Sequence, residues 1–287
     1  MNRPLYSPKT IQDLLERHGF TFSKALGQNF LIDGNIIEKI IGAADIQNKN
    51  ILEIGPGFGV LSHRLSEKGK KLLLVEMDRR LEPVLKEVLA DRDNVEIIFS
   101  DVLKLDLHRV LKERFGGEKV NVVANLPYYV TTPILAHLLE DNLPIESITV
   151  MVQKEVAKRM AAKANTKDYG SLSLLVQYYT QGTVICTVPN TVFMPRPKVE
   201  SAVVYLKLRG VSKNENFFKV TRAAFNMRRK TLVNALAKGL NLEKAKIADC
   251  LSAINLSEQI RGEELSLEQY LELSQLLFME SILKRYE

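Results

Sequence analysis

The feature that most constrains this chain is residues 50–59, Asn-Ile-Leu-Glu-Ile-Gly-Pro-Gly-Phe-Gly. The apolar run 51–54 predicts a short buried strand. It breaks into Gly55, Gly57 and Gly59, which let the backbone turn sharply and let a ligand lie against it with no Cβ in the way. Val60, Leu61 and Leu65, interleaved with His63 and Arg64, then predict an amphipathic helix. Strand, glycine turn and helix open a nucleotide-binding βαβ unit, so a doubly wound α/β sheet is expected around this point.

The spacing narrows the ligand. The dinucleotide pattern G-x-G-x-x-G is not met, because the third glycine comes one residue early, at Gly59, and Val60 stands where the pattern wants glycine. A pyrophosphate prefers positive charge at the helix start, and Glu53 just upstream would oppose it if that side chain faces the site. S-adenosylmethionine, an adenosine with a sulfonium and an ammonium and no phosphate, suits such a turn better. This disfavours a nicotinamide-dependent oxidoreductase.

The strands that follow supply acids. Residues 71–78 (Lys-Leu-Leu-Leu-Val-Glu-Met-Asp) predict a second buried strand. Glu76 lies about 20 residues past the glycines, where a carboxylate takes the hydroxyls of a ribose, and Met77 beside it can pack on an adenine face. Residues 95–101 predict a third strand ending at Asp101, a candidate acceptor for an adenine amino group or, equally, a turn cap. A fourth, 120–126, runs into Asn125-Leu126-Pro127-Tyr128, after which Thr132-Pro133 is expected to cap the next helix. Residues 183–188 and 202–209 predict a closing antiparallel pair, joined through a stiff proline loop at 193–201.

After about residue 209 the composition changes. Residues 207–246 carry Lys219, Arg222, Arg228, Arg229 and Lys230 among many basics, against only Glu215 and Glu243. The whole chain has a formal net charge of +6, so the excess is concentrated here. Phe218, Phe225, Leu232 and Leu236 mark the apolar face of one helix, with the basic residues beside it. Ser266 and Gln269 form a capping box for a later one. Residues 1–209 are thus read as the catalytic domain and 210–287 as a small all-helical domain binding nucleic acid. Two distant cysteines, Cys186 and Cys250, and 4 histidines give no metal-ligand spacing. No secretory leader and no membrane-length apolar run is seen, which predicts a cytoplasmic protein, and nothing demands more than a monomer.

The Asn-Leu-Pro-Tyr turn suggests chemistry. An adenine 6-amino group is a poor nucleophile because its lone pair is delocalised into the ring. Two acceptors on its hydrogens restore that lone pair: the Asn125 side-chain carbonyl and a backbone carbonyl fixed by Pro127. Tyr128 offers a stacking face, with Phe193 of the proline loop as the second face. The target base has to leave its helix to reach such a site.

Together with Gln28-Asn29-Phe30-Leu31, Phe193-Met194-Pro195-Arg196-Pro197 and Arg261-Gly262-Glu263-Glu264-Leu265-Ser266, these motifs resemble the ribosomal RNA adenine dimethyltransferase family along essentially the whole chain. The resemblance is to its bacterial small-subunit members more than to its macrolide-resistance relatives, which act on the large subunit. A non-catalytic binder that kept the fold is the alternative of another class, and the intact motifs argue against it. The resemblance implies a class I S-adenosylmethionine-dependent methyltransferase, Rossmann-like with a mostly parallel seven-stranded sheet and a helical C-terminal domain. It implies dimethylation of two adjacent adenines in a hairpin near the 3′ end of 16S rRNA, within a pre-30S particle. Cofactor contacts are then expected at Asn29, Leu31, Gly55, Gly57, Glu76, Met77, Asp101 and Asn125. Tyr129-Val130-Thr131 departs from the Asn-Ile-Ser often found after the motif.

Overall fold

The computed structural model describes residues 4–23 and 27–283, with side chains as far as residue 279. Residues 24–26, the start of the loop leading into Gln28-Asn29, lie outside the described residues. The chain forms two compact units: Met1–Ala157 with Thr180–Arg209, and Lys158–Tyr179 with Gly210–Glu287.

The first unit runs α1 (Pro8–Arg17), β1 (Phe30–Leu31), α2 (Gly34–Ala43), β2 (Asn50–Ile54), α3 (Val60–Lys68), β3 (Lys71–Glu76), α4 (Glu82–Val88), β4 (Val95–Phe99), α5 (Leu107–Phe115), β5 (Val120–Asn125), α6 (Thr131–Glu140), β6 (Ile145–Gln153), the start of α7 (Lys154–Ala161), β7 (Thr180–Val188), β8 (Phe193–Met194) and β9 (Ser201–Leu208). Seven strands make one sheet, in the order β4-β3-β2-β5-β6-β9-β7. The pairs from β4 to β6 are parallel, and β9 and β7 close the sheet antiparallel. Strand β2 is buried throughout, and β5 is buried up to its last residue, Asn125. Strands covered on both faces read as continuous apolar runs, which is why the sequence shows them so plainly. The chain order reverses between β2 and β5, so the crevice of a doubly wound sheet opens there, at the strands' C-terminal ends.

Two local readings change. Helix α6 starts at Thr131, before the Thr132-Pro133 pair expected to cap it; the Thr131 hydroxyl donates to the Pro127 carbonyl at 3.0 Å and ties the helix to the turn. Helix α5 is not evident from the strand cadence, although its signals are local: Asp106 accepts from the Arg109 amide at 3.0 Å, and Gly116 ends the helix at φ 64°. At the sheet's edge, β7 is exposed over 181–185, and its register with β9 shifts at Ile185. Such a bulge blunts an edge against pairing with other chains.

The second unit contains the rest of α7, then α8 (Ser171–Tyr179), α9 (Glu215–Asn226), α10 (Leu232–Leu240), α11 (Lys244–Ala253) and α12 (Leu267–Leu283). A break at 209/210 is therefore present, but Lys158–Tyr179, expected in the catalytic part, belongs with the later helices. Packing is the reason. Tyr178 stacks on Phe217 and Tyr179 on Phe218, at centroid distances of 5.0 and 5.5 Å, and the Tyr169 hydroxyl donates to the Leu265 carbonyl at 2.9 Å. The single helix expected through 218–236 is two, α9 and α10, because the Lys230 amide turns back to the Met227 carbonyl and Leu232 bonds to Ile260. The Ser266–Gln269 capping box is formed in both directions, at 2.9 and 3.3 Å. Cys186 and Cys250 are not joined in a disulfide. No helix among the described residues is long and apolar enough to cross a membrane.

Candidate active site

The crevice at the chain reversal is a pocket bounded by five segments. These are the loop Gly27 to Phe30, the glycine turn after β2, the end of β3, residues 100–103 after β4, and the turn after β5 from Asn125 to Val130. Asn29, Gly55, Gly57, Glu76, Met77, Asp101, Asn125, Pro127 and Tyr128 all line it.

Glu76 ends β3 and is 6 % exposed. Its Oε1 accepts from the Asp78 amide at 2.8 Å and its Oε2 from the Gly57 amide at 3.2 Å, so the carboxylate ties β3 to the glycine turn. Burial raises its pKa; the Asp78 and Gly57 amides offset part of that rise, and the Asp78 charge adds to it. Asp78 behaves in the opposite way. Burial alone would raise its pKa, but Arg80 and Gln28, donating to the carboxylate, bring it below the ordinary value. The Gln28 amide nitrogen reaches Asp78 at 2.7 Å while its Oε1 accepts from the Ser23 amide at 2.8 Å, so this side chain links Ser23 to Asp78.

Gly57 has φ 60°, and a Cβ there would meet the Phe30 ring at 2.5 Å. The space that glycine leaves is thus filled by Phe30, which also packs on Phe58 at a centroid distance of 4.2 Å. Glycine is needed for the backbone and for the ring at once. Gly57→Ala is expected to lose ~1–2 kcal/mol to left-handed strain and more to displacement of Phe30, lowering Tm by at least ~2–8 °C for a unit of this size. Gly116, at φ 64° with open space around it, is the control: calorimetry should show Gly116→Ala suffering the backbone strain alone. Equal losses in the two variants would remove the role given to Phe30.

Asn125 is the pivot. Its Nδ2 donates to the Asn29 backbone carbonyl at 3.1 Å. A carbonyl only accepts, so the amide nitrogen must face Asn29; the side-chain oxygen is the part left for the pocket. Asn29 in turn donates its side-chain N–H to the Gly27 carbonyl at 2.9 Å. Tyr128 is half-buried; its hydroxyl shares a hydrogen bond with Ser201 Oγ at 2.7 Å, and burial raises its pKa. Asp101 realises its turn-cap reading, with Oδ1 accepting from the Leu103 amide at 3.0 Å.

Two expected residues lie elsewhere. Phe193 is 3 % exposed and sits in the core rather than in the pocket lining. Its strand β8 pairs with β1, placing Phe193 opposite Leu31, so it offers no free face to a base in this arrangement. The Leu31 side chain is buried in the same core. Conversely, Gln28, Ser100, Leu103 and Tyr129 line the pocket without having been singled out for it. Only Gln28 carried a signal, as part of the Gln-Asn-Phe-Leu motif.

The model of the ribosomal RNA adenine dimethylase family matches residues 19–278. The chain belongs to that family. It is 48 % identical over 271 residues to a ribosomal RNA small subunit methyltransferase A of Alkaliphilus oremlandii, covering 92 % of this chain and 94 % of that one. It is likewise 48 % identical over 287 residues to the protein of the same name from Geobacillus thermodenitrificans, with 96 % and 98 % covered. Among solved structures, a dimethyladenosine transferase from Plasmodium falciparum superposes with TM-score 0.71 at 25 % identity, covering 88 % of this chain and 98 % of that one. A 23S rRNA methyltransferase gives 0.65 at 23 % identity, with 86 % and 99 % covered, a likeness of fold. As a member of the dimethylase family the chain is a methyltransferase with a Rossmann-like sheet and a helical C-terminal part.

Proposed function

We propose that this protein dimethylates the 6-amino groups of two adjacent adenines in a hairpin near the 3′ end of 16S small-subunit rRNA, with S-adenosylmethionine as donor. When bound, the donor supplies an electrophilic methyl group on a sulfonium. The lining fits such a cation: its charged residues among those described are Glu76 and Asp101, with no lysine or arginine to meet a phosphate. Glu76 would accept from the ribose hydroxyls, Asp101 would accept from the adenine amino group, and Met77 would pack on the adenine face; all three line the pocket. Gly55, Gly57 and Asn29 shape the backbone wall.

The observation that carries the reading is the orientation of Asn125. With its nitrogen held by Asn29, Oδ1 accepts one hydrogen of the target amine. The Pro127 carbonyl already accepts from Val130 N–H and the Thr131 hydroxyl, so the second acceptor falls to the Leu126 carbonyl. Two acceptors draw the amine towards tetrahedral geometry and return its lone pair for attack on the methyl carbon. A donor bound in the crevice would supply the electrophilic methyl carbon facing that lone pair, and the amine's surplus proton would pass to water. Tyr128 stacks on the base. Catalysis is positioning and electrostatics, and the reading calls for no metal.

RNA affinity is assigned to Lys219, Arg222, Arg228, Arg229 and Lys230, all exposed in the second unit. Arg228 also donates to the Lys167 carbonyl at 2.7 Å, so part of its guanidinium serves its own unit. Reversing Arg222 and Arg229 to glutamate is expected to weaken RNA binding and lower the slope of log K against log salt by ~1 for each phosphate left without its cation. An unchanged slope in a titration from low to moderate salt would return these residues to ordinary solvated charges.

The setting proposed is a monomer acting on a pre-30S particle in the cytoplasm. Labelled S-adenosylmethionine offered with small- and large-subunit particles tests the reading: label should enter small-subunit RNA alone. Label entering only large-subunit RNA would make this a macrolide-resistance type of enzyme.

A further inference from the structure

We propose that Tyr129 is a substrate-positioning residue on which the nucleotide next to the target adenine stacks; the inference rests on the adenine reading of the pocket. Tyr129 follows Tyr128, so their Cα atoms are ~3.8 Å apart, yet the two rings are held differently. The Tyr128 phenol is anchored on Ser201. Tyr129 lines the same pocket and is 54 % exposed. It is not loose. The ring leans on the backbone of Gly27, where a Cβ would come within 3.2 Å of Cδ1 and where φ is 59°. Gly27 is in turn fixed by the Asn29 side chain, and Asn29 by Asn125. An aromatic ring is thus braced at the pocket mouth by the same chain of hydrogen bonds that orients the catalytic amide.

Chemistry identifies the occupant. A base drawn out of its stack leaves its neighbour with an uncovered π-face. That neighbour is one nucleotide away, as Tyr129 is one residue from Tyr128. Aromatic stacking is tolerant of base identity, so it would serve either of two adjacent adenines in turn.

The test uses a hairpin in which one of the two adenines is replaced by 2-aminopurine, which lacks a 6-amino group and fluoresces less when stacked. Methyl transfer then reports only the remaining adenine. Tyr129→Ala should raise KM for this RNA about tenfold, within the range of aromatic–base stacking. It should leave kcat and cofactor affinity near wild type and give a brighter complex. Tyr129→Phe should restore both KM and quenching. Equal fluorescence and KM in wild type and Tyr129→Ala would overturn the inference. So would weakened cofactor binding without a fluorescence change, which would make the ring a mere brace for Gly27. Quenching that depends on Tyr129, in a wild-type protein that also fails to label small-subunit particles, would sink the adenine-methylation reading and leave the stack standing.

Discussion

Asn125→Ala should lower methyl transfer by at least ~10²–10³-fold, the usual loss when one preorganised polar group facing a developing charge is removed, while RNA binding stays near wild type. The variant also frees the Asn29 carbonyl, at a stability loss of ~0.5–1.5 kcal/mol for one hydrogen bond, which is too small to unfold the unit. Asn125→Asp separates the two roles of the amide. It keeps an acceptor but has no hydrogen to give Asn29, and it sets a carboxylate against that carbonyl. Its turnover should therefore also fall steeply. Single-turnover transfer to small-subunit particles measures both, and near-normal rates in Asn125→Ala would end the proposed mechanism.

Glu53→Gln should become progressively more stable than wild type as pH rises from about 4.5 to 8. Glu53 lies on β2 beneath the glycine turn, 1 % exposed, with no hydrogen-bond partner for Oε2 among the described residues. Burial pushes its pKa up to about 8; the nearby Ser62 hydroxyl, in a geometry short of a formed hydrogen bond, offsets this in part, and Glu76 adds to it. The folded protein keeps this proton up to about pH 8, whereas the unfolded chain releases it near pH 4.5. Between those values the native state binds more protons than the unfolded state, so stability falls with rising pH and levels off above the folded pKa. At ~1.4 kcal/mol per unit, the full window amounts to ~3–5 kcal/mol. Glutamine has no proton to lose and is free of that slope. Urea unfolding at intervals across the window gives the difference between variant and wild type; a difference flat with pH would mean that Glu53 is ionised in the fold.

Much of this protein is written in short windows. The buried run and the three glycines give β2 and its turn because fully covered parallel strands are apolar throughout and a left-handed bend wants no Cβ. The strand exits at Glu76 and Asp101 can be read for the same reason: each follows an apolar run at the end where a doubly wound sheet presents its ligand. The Ser266–Gln269 capping box is a four-residue code, and it forms as written.

Other features depend on which surfaces meet. Lys158–Tyr179 joins the second unit because Tyr178 and Tyr179 find Phe217 and Phe218, a match between segments that no local pattern announces. Phe193 sits in a loop that looks poised for a ligand, but pairing opposite Leu31 turns it into core. The sequence by itself determined that a strand would end at Asn125 beside a glycine turn and two acids. Which way that amide points was decided only in three dimensions, by a carbonyl 96 residues earlier in the chain. Periodicity and turn chemistry act over a few residues, whereas a side chain's orientation is set by the partner that packing brings to it.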